Sequence, residues 1–332
     1  MLRWLLRILT LIVFVTSVRM AIGYWQYDEF EPDVAQLFTQ QITPQVLDQH
    51  IVDALSKGNA DDARLYIQLG QTFGIAIDSS RYEAQLQALD DPINVATRAV
   101  TEFASGFMGG SAESGAGVVG AITSDFTVVG DVRDLWEQYE LYSQNKPTSD
   151  LIVALAGVGV GLTAATVVSA GTASPAKAGV STLKMATRTG RLTPRFQAYL
   201  LRQASNVFDT KAFMRTIKAE QNIDGVRHAV QSAYQPAAVD TLTGLASHTN
   251  SIRQASSIVD TVHLLQYVDN ADDLRRLEKI TVKYGSETKG IMKLLGKGAI
   301  GTIRVLRRTT ELVVSLVSTL LSFLGMLLVW RR

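Results

Sequence analysis

Apolar positions recur every three to four residues along most of the chain, and no stretch alternates convincingly with period two, so the pattern predicts helices throughout. Thr43–Ser56 places Val46, Ile51, Ala54 and Leu55 on a helical period and ends at Lys57-Gly58. Asn59 then reads as an N-cap, with Asp61 and Asp62 suiting the first-turn dipole and Gly74 ending the helix. Asn270-Ala-Asp-Asp-Leu-Arg275 repeats that opening and stops at Gly285; capping chemistry explains the likeness, because the intervening residues do not match. Further helices are predicted at about 80–89, 92–108, 128–145, 178–190, 194–206, 209–220, 223–234, 237–249 and 252–268. The fold class this implies is all-α, a membrane-anchored helical bundle.

Three apolar stretches break the amphipathic pattern. Leu312–Trp330 is nineteen residues without a charge, flanked by Arg304, Arg307, Arg308 and Glu311 before it and by Arg331 and Arg332 after Trp330. That is the length and flanking of a transmembrane helix. The N-terminal segment runs from Trp4 to Trp25 with Arg19 inside it. Read as an anchor, its Arg19 snorkels and Trp4, Tyr24 and Trp25 lie at the membrane interfaces, as does Trp330 at the other end of the chain. Read as a signal peptide, it offers Ala21-Ile22-Gly23 as a cleavage site, but an arginine so close makes cleavage awkward. The third stretch, Leu151–Gly171, continues uncharged to Ala176 and is rich in Ala and Gly. Gly157 and Gly161 form a G-x-x-x-G that permits close helix packing, so this is either a third span or an apolar segment buried within a lobe. The expected layout is an anchor at 1–25, an acidic helical lobe at 26–150, the Ala/Gly-rich segment at 151–176, a basic helical lobe at 177–303, and a juxtamembrane stretch with the last span at 304–332.

Charge sharpens that layout. The net charge of +1 hides three arginines in residues 1–23, six Lys/Arg against twenty Asp/Glu in 24–150, and twenty-three Lys/Arg against eleven Asp/Glu in 151–332. If 151–171 crosses, Lys177, Lys184, Arg188, Arg191 and Arg195 fall on the cytoplasmic side, in keeping with the positive-inside tendency. If it does not, the acidic and basic lobes share one compartment and pack together. Lys289, Lys293 and Lys297, followed by Arg304, Arg307 and Arg308, form a stripe on a continuous helix, a pattern suited to anionic lipid headgroups at about 1 kcal/mol per charge.

Composition and motifs exclude more chemistry than they offer. The absence of cysteine rules out disulfides, a thiol nucleophile and Cys-bearing metal sites. The four histidines, His50, His228, His248 and His263, lack metal-ligand spacing. Gly296-Lys-Gly-Ala-Ile-Gly301 matches G-x-G-x-x-G only formally, since no strand precedes it. Asp269, Asp272 and Asp273 lack the glycine and terminal Glu of a calcium loop. No catalytic, metal or cofactor residue is expected, and no nucleic-acid partner.

Asp125-Phe126-Thr-Val128-Val129-Gly130-Asp131-Val-Arg-Asp134-Leu135, followed by the apolar Gly/Ala run and the basic Lys184–Arg195 segment, resembles the pre-toxin regions of bacterial polymorphic toxins. The likeness covers about residues 125–195; Val128 departs from the proline-containing pattern, and no toxin catalytic domain follows. It also resembles uncharacterised bacterial membrane proteins. Such regions imply membrane passage or packing and no reaction. The function expected is therefore a non-enzymatic protein of the bacterial inner membrane that binds anionic lipid, a protein partner or further copies of itself. The alternative is a membrane-active, toxin-like effector inserting the helices around 106–122 and 151–171. A third reading is an enzyme using Asp61, Asp62, Asp131 and Asp134.

Overall fold

The computed structural model describes residues 2–25, 34–90, 128–168, 174–219, 223–301 and 313–324, and its regular structure there is helical. The helices are α1 (Leu2–Trp25), α2 (Val34–Gln41), α3 (Pro44–Ser56), α4 (Ala60–Thr72), α5 (Ser80–Asp90), α6 (Val128–Ser143), α7 (Asp150–Val168) and α8 (Ser174–Arg188). After them come α9 (Pro194–Val207), α10 (Thr210–Ala219), α11 (Ile223–Ala233), α12 (Asp240–Ala255), α13 (Ile258–Leu264), α14 (Ala271–Tyr284), α15 (Glu287–Leu295) and α16 (313–324). Among the described residues the one β-type pairing is an isolated antiparallel bridge between Phe208 and Tyr234. Two compact units result, Met1–Asp33 with Lys297–Arg332, and Val34–Gly296.

Local chemistry sets the helix ends. The side chains of Asn59 and Asn270 accept from the amides of Asp62 and Asp273, each at 3.0 Å, so both Asn-Ala-Asp-Asp openings are capped alike. Gly74 and Gly285 take φ of 68° and 56°, the left-handed region where glycine leaves a helix without a Cβ clash. The predicted break near residue 250 lies later. Asn250 is buried inside α12, accepting from Arg253, and the break falls at Ser256-Ser257, where Ser257 Oγ accepts from the Asp260 amide at 3.0 Å. The segments at 92–108 and 106–122 lie outside the described residues.

In the Val34–Gly296 unit, α7 is the hub. It packs against α6, α8, α9, α10 and α11, and Leu151, Val153, Ala154, Leu155, Ala156, Val158 and Leu162 are buried. Its apolar character thus has a protein explanation: five neighbours pack on it and bury most of its described side chains. Glycines make the approach close. A Cβ on Gly157 would meet the ring of Phe208, and one on Gly161 the ring of Tyr234, the two residues joined by the isolated bridge. Gly179 of α8 lies against the backbone of Ala246 in α12, closer than a Cβ permits.

Among the described residues no helix is long and apolar enough to cross a membrane. Of the expected C-terminal span, Leu312–Trp330, only 313–324 is described.

Candidate functional site

The unit formed by the two ends of the chain is packed inside out. Phe14 of α1 meets Phe323 of α16, ring centroids 5.7 Å apart. Among the described side chains of α1 and α16 the buried positions are small and polar: Ser17 is 8 % exposed and Ser315 6 %. Large apolar side chains face outward, with Ile12 54 %, Val314 62 % and Leu321 63 % exposed. Of nineteen exposed large hydrophobic residues among those described, fifteen belong to this unit, so the apolar surface is concentrated rather than scattered. The hydroxyls turn back on their own helices: Thr16 donates to the Ile12 carbonyl at 2.9 Å, Thr319 to Ser315 at 2.8 Å and Ser322 to Ser318 at 2.7 Å. No hydroxyl of those three needs water.

The Val34–Gly296 unit contains two charge clusters, the first buried and the second partly exposed. In the first, Lys184 of α8, fully buried, lies 2.6 Å from Asp131 Oδ1 and 2.5 Å from Asp134 Oδ2 of α6. Lys177 approaches Asp131 Oδ2 at 3.5 Å and donates to Thr163 of α7, and Arg188 pairs with Asp134. Gly159 supplies the space: a Cβ there would strike the Asp131 carboxylate. Burial pushes the Asp131 carboxyl up, and the attraction of Lys184 and Lys177 offsets only part of that rise. Desolvation therefore exceeds the pairing, as is common for buried ion pairs.

The second cluster joins α4 to α15. Asp62 pairs with Lys293 and lies 3.6 Å from Lys289, which is also 3.5 Å from Asp260 of α13. Beside it Glu287 accepts from Gln68 at 2.7 Å and Thr72 at 2.9 Å. His263, also buried, is held down to about 4 by burial and by the nearby cations Arg191, Lys289 and Lys293, with Asp260 opposing. Its imidazole is neutral at pH 7.

Several expected positions look different in this setting. Lys289 and Lys293 face Asp62 and Asp260 inside the unit and do not form a free cationic stripe. The continuous helix that the stripe requires ends at Leu295, because Gly296 takes φ 56° and a 3₁₀ turn follows over Gly296–Gly298. Lys297 is exposed beyond that break, while Arg304, Arg307 and Arg308 lie outside the described residues. Trp4 is exposed on α1; Tyr24 and Trp25 close that helix, and Trp330 lies outside the described residues. Lys184 is a core residue, and the acidic and basic lobes share one unit through Asp131–Lys184 and Asp62–Lys293.

The carboxylates considered for catalysis divide similarly. Asp61 is exposed and near Arg64, while Asp62, Asp131 and Asp134 are consumed in ion pairs. A surface groove of about 470 Å³ brings Asp48, Asp53 and Asp78 beside Arg81, without a nucleophile–base pair. Among the described residues no group of three or more His, Asp or Glu side chains could hold a metal ion. Sequence reasoning missed the partners of Asp131 and Asp62. They are separated by 53 and 231 residues from the lysines they meet, and no local spacing signals such a pair. No protein-family model, curated protein or solved structure matches the chain.

Proposed function

We propose that the chain is an integral protein of the bacterial inner membrane, in which α1 and α16 pair within the bilayer and anchor the Val34–Gly296 helical domain. The domain acts as a non-enzymatic module that binds a protein partner, a second copy or anionic lipid. The observation that carries this reading is the inverted packing of the terminal pair, with Ser17 and Ser315 inside and leucines, valines and isoleucines outside. In water that arrangement forfeits about 25 cal/mol for every Å² of apolar surface left exposed. In lipid it is the favoured one, because small polar residues suit helix interfaces and apolar side chains suit hydrocarbon. The internally satisfied hydroxyls of Thr16, Thr319 and Ser322 agree with it.

The effector alternative asks Asp150–Val168 to leave a sheath of five helices and the Asp131–Lys184 cluster to come apart, which favours the anchored module. Cell fractionation tests the proposal. Full-length chain is expected to pellet with membranes and to stay there through an alkaline carbonate wash. Release of intact chain into the supernatant would remove the anchor.

A further inference from the structure

α1 carries three arginines, Arg3 and Arg7 near its start and Arg19 deep in its apolar stretch, and among the described residues the helix pair offers none of them a counter-ion. At helical spacing, Ile12, Val15, Arg19 and Ile22 fall on one stripe, and all four are exposed. Phe14 and Ser17, the residues turned toward α16, lie on the opposite side of the helix. Arg19 therefore points away from the partner helix, among the side chains assigned to lipid. The described residues of this unit contain no Asp or Glu. An unpaired guanidinium within a membrane helix is costly, cannot lose its proton, and marks a ligand of opposite charge. Trp4 and Trp25 lie twenty-one residues apart, about 31 Å of helix, which matches the hydrocarbon thickness. Arg19 is six residues from Trp25, so it lies roughly 9 Å below that end, within snorkelling range of one leaflet's headgroups. The phosphate of a phospholipid supplies two oxygens that the planar guanidinium fork can bind together. The lysines expected to take that role, Lys289 and Lys293, are occupied by Asp62.

We propose that Arg19 binds the phosphate of an anionic phospholipid in the leaflet at the Trp25 end of α1. This rests on the membrane reading of the terminal pair and assigns that pair's lipid ligand. The test uses full-length wild type, Arg19→Gln and Arg19→Lys reconstituted in vesicles of phosphatidylcholine with one quarter phosphatidylglycerol. Each is re-extracted in mild detergent, and the phosphatidylglycerol that co-purifies is measured. Wild type is expected to retain phosphatidylglycerol above its bulk share. Arg19→Gln should lower that excess about fivefold, the factor corresponding to about 1 kcal/mol per charge at an anionic surface. Arg19→Lys should keep most of it, and all three should remain in the membrane pellet. No excess in wild type, or an equal excess in Arg19→Gln, would overturn the assignment while leaving the anchor intact. Recovery of wild type in the supernatant would instead overturn the anchor itself.

Discussion

The two units of this chain solve the burial problem in opposite ways. Around α7 the apolar side chains are covered and the charges that cannot escape are paired: Lys184 with Asp131 and Asp134. In the α1–α16 pair Ser17 and Ser315 are covered, and most of the described large apolar side chains look outward. Both obey one rule, that a surface is matched to the medium it meets. On the membrane reading proposed above, the difference corresponds to a difference of medium: water around the domain, hydrocarbon around the ends. Hydropathy alone does not draw this distinction. Leu151–Gly171 and Leu312–Trp330 are both uncharged in sequence, yet the described part of the first is wrapped by protein and that of the second presents its bulk outward.

The sharpest way to break the domain side of that comparison is to orphan a buried charge. Lys184→Ala takes from Asp131 its closest cation and from Asp134 the cation it shares with Asp131, and should cost about 3–5 kcal/mol, read as a lower urea midpoint. Acid should act next, through His263. Its folded-state value of about 4 lies below the ordinary 6.5, so its contribution is complete above pH 6.5 and is lost as pH falls toward 4. The full difference is about 3 kcal/mol. His263→Gln should flatten stability against pH in that window. Asp131 has the opposite sign, because its folded-state value is raised: its contribution is present below 3.8 and is lost as pH rises through the folded value. Asp131→Asn should therefore remove a loss of stability on the alkaline side of pH 3.8, even as it weakens the pairing. Smaller still, Gly157→Ala drives a methyl into the Phe208 ring and should cost about 1–3 kcal/mol by the same urea measurement. The mildest change sharpens topology rather than stability. In this cysteine-free background Ser80→Cys and Ser286→Cys, both exposed in the domain, should react equally with an impermeant thiol reagent in intact cells. Unequal labelling would separate lobes that the ion pairs join.

How much of this was readable from residues alone depends on the range of the interaction. Asn59 and Asn270 announce their helices because a cap bonds three residues away, and Gly74 and Gly285 end theirs for an equally local reason. The helical class follows from periodicity, which is also local. The Asp240–Ala255 boundary was misplaced because the Asn250 side chain is satisfied by Arg253 within the helix, removing its breaking effect. The lysine stripe failed for two reasons. Gly296 ends the helix, and Asp62, far away in sequence, claims Lys289 and Lys293. Nothing in a linear spacing shows which carboxylate a lysine will meet across a bundle. The inverted face of α1 lies between these cases: Ile12, Val15, Arg19 and Ile22 share a stripe by arithmetic, but only the Phe14–Phe323 contact says which side is inner.

Whether the terminal pair meets lipid is settled most directly by spin labels on single cysteines at Ile12, Val15, Leu316 and Leu320 of full-length protein in vesicles. All four are expected to be relaxed by oxygen and shielded from a water-soluble nickel complex, while a label at Ser286 shows the reverse. Relaxation of the four by the nickel complex as strong as at Ser286 would contradict the membrane pair.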